Sequence, residues 1–136
     1  MDLKRVRTDK APLPIGPYEQ AVVVGNIVFT SGQIGLDPST GELVPGGVEA
    51  EAGRVFESLS HILDSAGSSA KRVIKTTLYL RDLAAFSKVN EIYESFFGEV
   101  KPARTTVQVS ALPRGAAIEV DAVGLVGTLD KTLSHP

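Results

Sequence analysis

The stretch Val73-Ile-Lys-Thr-Thr-Leu-Tyr-Leu-Arg-Asp-Leu-Ala-Ala-Phe-Ser-Lys-Val-Asn-Glu-Ile-Tyr-Glu-Ser-Phe-Phe-Gly98 changes its period halfway along, and that change decides the fold. Through Leu80 the side chains alternate. Ile74, Thr76, Leu78 and Leu80 fall on one side and Val73, Lys75, Thr77 and Tyr79 on the other, the two-residue repeat of a strand. Beyond Asp82, a residue type suited to capping a helix, Phe86, Val89, Tyr93, Phe96 and Phe97 trace one helical stripe that Gly98 ends. Upstream, Val48, Ala52, Val55, Phe56, Leu59, Ile62, Leu63 and Ala66 predict another helix, stopped by Gly67. Downstream, Pro102 breaks the chain and Arg104 to Ala111 resumes alternation, with Thr105, Val107, Val109 and Ala111 opposite Arg104, Thr106, Gln108 and Ser110. After the turn Leu112 to Ala116 a last strand is expected over Ala117 to Val126.

The N-terminal third reads as strands and loops. Leu3 to Arg7 permits at most a short edge strand, and three prolines make Ala11 to Pro17 irregular. Gln20 to Gly25 and Ile27 to Leu36 read as strands joined by a two-residue turn at Gly25-Asn26. Asp37 to Gly41 is a turn by composition, and Pro45-Gly-Gly47 punctuates the chain again. The order is strand-strand-strand-helix-strand-helix-strand-strand, an α+β domain over residues 1–127 followed by a polar tail, 128–136. Two right-handed strand-helix-strand units place both helices on the same face of one mixed sheet. Yet Ala21 to Val24 and Ile27 to Phe29 are apolar on both sides, which a face open to water should not tolerate. Another copy of the chain in a closed cyclic oligomer is the simplest cover.

Composition narrows the chemistry. The 136 residues carry a formal charge of -2 and no Lys/Arg run, which counts against an extended nucleic-acid footprint. No apolar run approaches the roughly 20 residues of a membrane span, and Met1 to Lys10 has no secretory leader, so a cytoplasmic location is expected. Zero cysteines remove thiolate nucleophiles and disulfides. His61 and His135 stand far apart without metal-ligand spacing, so no metal is expected.

Several positions are open to two readings. Arg104 starts a strand after Lys101-Pro-Ala103; a planar guanidinium there suits a carboxylate, yet a solvated strand-end arginine fits the pattern as well. Glu119, between Ile118 and Val120, is a candidate acid/base or an ordinary outward residue. Gly32 inside a strand suggests a bulge, a close approach to a ligand, or tight packing. Tyr18, after Gly16-Pro17, is a phenol on a stiff loop or a packing residue. Asn90 on the second helix is ordinarily solvent-facing, and His61 reads as a surface or boundary residue.

Taken together, Ile15-Gly-Pro-Tyr18-Glu-Gln-Ala21, Phe29-Thr-Ser-Gly-Gln33, Leu36-Asp-Pro-Ser-Thr-Gly-Glu-Leu43, Val73 to Leu80, Val89-Asn-Glu-Ile-Tyr93, Lys101 to Thr106 and Ile118-Glu-Val-Asp-Ala122 resemble the Rid family, the reactive intermediate deaminases. Within it they resemble the RidA type, also known as the endoribonuclease L-PSP or translation-inhibitor family. The resemblance runs from about Ile15 to Val126. It implies a chorismate-mutase-like trimer, with sites in clefts between subunits, that hydrolyses reactive 2-imino and 2-enamino acids such as 2-aminoacrylate and 2-iminopropanoate to 2-keto acids and ammonia. No cofactor is implied. By resemblance Arg104 binds the substrate carboxylate and Glu119 orients or activates water, while Tyr18, Ser31, Gly32, Asn90 and Thr106 line the pocket. Thr106 stands where many members have cysteine, so thiol-based behaviour is not expected. Glu19 replaces a common serine and Glu51-Ala-Gly53 a more frequent Gln-Thr-Arg; both are expected to tune the surface.

An endoribonuclease or translation inhibitor is the competing enzyme reading, and a small-molecule sensor or a chaperone-like trimer the non-catalytic ones. With the last two strands taken as joined by their turn, Arg104 and Glu119 fall roughly 20 Å apart at ~3.3 Å per residue. A small substrate touching both would then need groups from two subunits.

Overall fold

The computed structural model describes residues 2–127; the segment 128–136, read above as a tail, lies outside the described residues. The expected element order is found: β1 (Leu3–Val6), β2 (Ala21–Val24), β3 (Ile27–Thr30), α1 (Gly47–Ser65), β4 (Val73–Leu80), α2 (Phe86–Phe97), β5 (Ala103–Gln108) and β6 (Ile118–Leu125). The six strands form one sheet in the order β1-β2-β3-β6-β4-β5. Only β4 and β5 run parallel; the other neighbours are antiparallel. The last strand is therefore inserted between β3 and β4 instead of lying beside β5.

Both helices pack on one face. Leu59, Ile62 and Leu63 of α1 and Val89, Tyr93 and Phe97 of α2 share a core with Val28, Leu78, Leu80, Ile118 and Val120 of the sheet. Each fully buried Leu or Ile there stabilises the fold by about 1.5–3 kcal/mol. Phe56 bridges the helices, stacked on Phe96 at 5.1 Å and edge-on to Tyr93 at 5.7 Å. The Gly25-Asn26 turn holds because Val24 pairs Ile27 and Gly25 takes φ 59, a left-handed value open to glycine without strain. Asp82 caps the short 3-10 turn that leads into α2, its side chain accepting the Ala84 N–H at 2.9 Å.

Three expectations need correction. The strand expected over Ile27 to Leu36 ends at Thr30; residues 31–36 leave the ladder, touching it again only where Gln33 bridges Val120. The simple alternation along β4 fails at its start. A β-bulge between Val73 and Lys75 turns Val73 inward and leaves Ile74 43% exposed. The strand expected over Arg104 to Ala111 stops at Gln108, although Val109 still donates its N–H to Leu80 O at 2.9 Å.

The face away from the helices is amphipathic. Register places Val22, Val24, Ile27, Phe29, Val123 and Leu125 together there, with Phe29 47% exposed. Lys75, Thr77, Tyr79, Glu119 and Asp121 form the polar part of the same face.

Candidate active site

Four of the seven candidate residues come together in one cleft of about 320 Å³. Tyr18, Ser31, Gly32 and Glu119 line it along with Pro12, Leu13, Pro14, Ile15, Gln33, Ile34 and Pro113. The wall of prolines and aliphatics is held by Gln20, which is buried on β2's flank. Its side chain accepts the Thr8 N–H at 2.7 Å and donates to the carbonyls of Thr8 and Pro12, both at 2.9 Å. A single buried amide thus shapes the whole irregular loop. Ser31 is committed on two sides, its N–H to Gln20 O at 2.9 Å and its hydroxyl to Glu19 O at 2.5 Å. Its hydroxyl lone pairs remain for a ligand.

Gly32 stands two residues after the end of β3 and lies against Glu119. A Cβ there would stand 2.8 Å from Cδ of Glu119, so the backbone can approach the carboxylate only as glycine. Of the alternatives the residue types left open, tight packing against a neighbouring strand is the one realised, with Glu119 of β6 as the neighbour. Glu119 sits half-buried on β6, and among the described residues it makes no ion pair and no side-chain hydrogen bond. Burial first, and the neighbouring Asp121 charge second, push its carboxyl above the ordinary glutamate value. An acid/base whose proton affinity lies closer to neutrality is better matched to moving protons between water and a nitrogen leaving group.

Arg104 lies elsewhere. It opens the edge strand β5 opposite Thr76, on the helix side of the sheet, whereas Glu119 faces the other side. Its guanidinium carbon sits 4.7 Å from the Tyr93 ring centroid and 5.2 Å from that of Phe86. No carboxylate pairs with it among the described residues. The cation is thus held by aromatic faces, an attraction of about 0.5–2 kcal/mol, while its planar N–H fork stays unspent. Thr106 follows two residues later on the same side, with a buried hydroxyl that has no hydrogen-bond partner. Asn90, half-buried, lies four residues after Phe86 and three before Tyr93 on α2, placing it on the same helical face as Arg104's aromatic bed.

The seven positions therefore split into two groups: Tyr18, Ser31, Gly32 and Glu119 in the cleft, and Asn90, Arg104 and Thr106 between α2 and β5. The expected separation needs revision in its cause and size. Because β4 intervenes, Arg104 lies across from Ala122 by way of Thr76. Two strand spacings and three residues along β6 give roughly 14 Å between backbones, on opposite faces.

Residue patterns missed several contributors. Phe86 and Tyr93 read as core stripe only, although their spacing of seven already aligns them on one helix face. Asp121, two residues beyond Glu119 in an alternating strand, was legible as its same-face neighbour. Glu51 was expected at the surface; it is instead only 7% exposed and accepts the Ala117 N–H at 2.8 Å, tying α1 to the start of β6. Among the described residues no group of three or more His, Asp or Glu side chains could hold a metal ion. Nor is any helix there long and apolar enough to cross a membrane.

Known proteins with this arrangement are close in sequence. The family described as Endoribonuclease L-PSP matches residues 8–126. A RutC family protein of Pyrococcus abyssi is 52% identical over 116 residues, 85% of this chain and 91% of that protein. The 2-iminobutanoate/2-iminopropanoate deaminase of Mus musculus is 48% identical over 128 residues, 94% of this chain and 95% of that protein. The crystal structure of RidA from the Antarctic bacterium Psychrobacter sp. superposes with a TM-score of 0.88 at 43% identity, covering 90% of this chain and 99% of that one.

Proposed function

Because this chain belongs to the endoribonuclease L-PSP family, also called the Rid family, we propose that it is a hydrolytic deaminase of 2-imino and 2-enamino acids. The observation that carries this reading is the half-buried Arg104 guanidinium, seated on two aromatic rings and, among the described residues, without an acidic partner. A permanent planar cation left unpaired at a strand edge suits a small carboxylate. Likeness to the mouse deaminase over nearly the whole chain supports the same chemistry.

An iminium carbon is already electrophilic, so positioning and one water suffice. Arg104 holds the substrate carboxylate. Glu119 takes a proton as the water oxygen bonds to C2, giving a neutral carbinolamine, and returns that proton to the nitrogen. The remaining hydroxyl proton passes to Glu119 as the C–N bond breaks. The departing ammonia collects it, leaving a 2-keto acid and ammonium. Tyr18, Ser31 and Gly32 bound the cleft around this water, while Asn90 and Thr106 flank the carboxylate grip.

Since the two groups lie on opposite faces of one chain, the reaction requires them from different copies. A homotrimer that buries Val22, Val24, Phe29 and Leu125 against neighbouring chains supplies that arrangement and covers the apolar sheet face. Cytoplasmic enzymes that release imines from amino acids would supply the substrate. The test is imine decay, with 2-iminopropanoate generated in place from alanine by an amino-acid oxidase. Arg104→Ala should slow the decay about 100-fold or more, the scale of losing a charge-assisted grip of about 3 kcal/mol. An unchanged rate sinks the mechanism.

A further inference from the structure

Four side chains on the open face of the sheet are not used by the mechanism above. Asp121 follows Glu119 by two residues on β6, so both carboxylates project from the same side of the strand. Tyr79 is the direct cross-strand partner of Glu119, yet its hydroxyl reaches diagonally to donate to Asp121 Oδ2 at 3.2 Å. Thr77 lies directly opposite Asp121, and Lys75 lies two residues further along β4, its ammonium donating to Thr105 Oγ1 at 2.7 Å. The two neighbouring carboxylates are therefore unequally provided for. Asp121 has a phenol donor and a nearby cation; among the described residues Glu119 has neither.

We propose that Asp121 is a positioning residue for the deamination: fixed by Tyr79, it keeps a negative charge beside Glu119, so that the proton taken from the attacking water is held on Glu119 and passed to the departing nitrogen. This rests on Glu119 acting on water, as proposed above. Two carboxylates this close do not both give up their protons freely, and the one with fewer stabilising partners is protonated first. The groups facing Glu119 are few: Asp121 on its own strand, Tyr79 and more distantly Lys75 on β4, and Tyr18 across the cleft. The segment Ser31 to Gln33 brings no charge. Burial raises both carboxyls, but at Asp121 the Tyr79 hydrogen bond, Lys75 and Thr77 pull the other way, whereas nothing does so at Glu119. Tyr79 bears the corresponding mark, its phenol raised by burial and then by the Asp121 charge.

Carbon-detected NMR titration of the side-chain carboxyls of the full-length protein tests this, alongside the pH profile of kcat/KM for 2-iminopropanoate. In the wild type, Glu119 should take its proton before Asp121 as pH falls. D121N should move the Glu119 titration and the matching limb of the rate profile down by roughly half to one pH unit, the size of a like charge about 7 Å away in a partly solvated setting. Y79F should shift the limb only while Asp121 is present, because Tyr79 acts through that carboxylate. A Glu119 titration that stays in place or rises in D121N overturns the proposal. Should D121N fail to fold, the wild-type order of protonation decides: Asp121 protonating first overturns it equally. The underlying reading fails separately, since a fully active E119Q would remove Glu119 from the chemistry while leaving any NMR shift intact.

Discussion

Gly32→Ala places one methyl group where the structure has no room for it, and the consequence should be catalytic more than structural. The added Cβ would lie 2.8 Å from Cδ and 3.1 Å from Cγ of Glu119. An ordinary carbon–carbon contact is about 3.5–4.0 Å, so the carboxyl must retreat by roughly 1 Å. The three nearest atoms to the new methyl all belong to that flexible side chain; it can swing into the cleft, and unfolding free energy should change by no more than about 1 kcal/mol. The reaction is less forgiving. Misplacement of a reacting group by about 1 Å costs on the order of 100-fold, or about 2.7 kcal/mol of transition-state stabilisation. The assay is decay of 2-iminopropanoate in a double-mutant cycle with Glu119→Ala, with urea unfolding measured in parallel. G32A should lower kcat/KM by about 100-fold in the Glu119 background and by little when Glu119 is already alanine. Full activity in G32A, or an equal loss in both backgrounds, would refute the placement of Glu119 at the reacting water.

Two further outcomes are expected. Refolding equal amounts of R104A and E119A chains together should restore about a quarter of wild-type activity, because random assembly gives that share of sites an intact arginine from one copy and an intact glutamate from another; a mixture no better than its parents excludes a shared site. Glu119→Gln should raise Tm at pH 7 and lose that advantage by pH 4, at fixed protein concentration. The sign follows from Glu119's raised carboxyl: the folded state binds more protons than the unfolded chain above the ordinary value of 4.5, so this group's favourable contribution is present below that pH and is lost as pH rises through the folded value. A Tm difference that does not change with pH contradicts the burial of this carboxyl.

Local periodicity carried the elements that the residue pattern made legible. β4 and α2 were readable because alternation and the 3.6-residue stripe are each encoded within one segment, and the hairpin because Gly25-Asn26 sits between two apolar runs. Strand order was not legible in the same way: that β6 enters between β3 and β4 depends on pairings between residues some forty to one hundred positions apart. The end of β3 at Thr30 and the burial of Glu51 share that cause, since each depends on what the last strand brings alongside. Among site residues, the resemblance of short segments picked out Tyr18, Ser31, Gly32, Asn90, Arg104, Thr106 and Glu119. It did not show which face each would occupy. That depended on β5 presenting Arg104 and Thr106 to the helices while β6 presents Glu119 and Asp121 away from them.

The position of β6 also bears on how the protein is made. A ribosome delivers residues in order, and until residues 118–125 emerge the sheet lacks an interior member instead of a border one. β3 and β4 are then left with unsatisfied backbone edges facing an empty slot, a template for pairing with the wrong chain. The nascent polypeptide is therefore most prone to aggregate before residues 118–125 emerge, and a deletion of β6 should be far more damaging than a deletion of β1 from the rim.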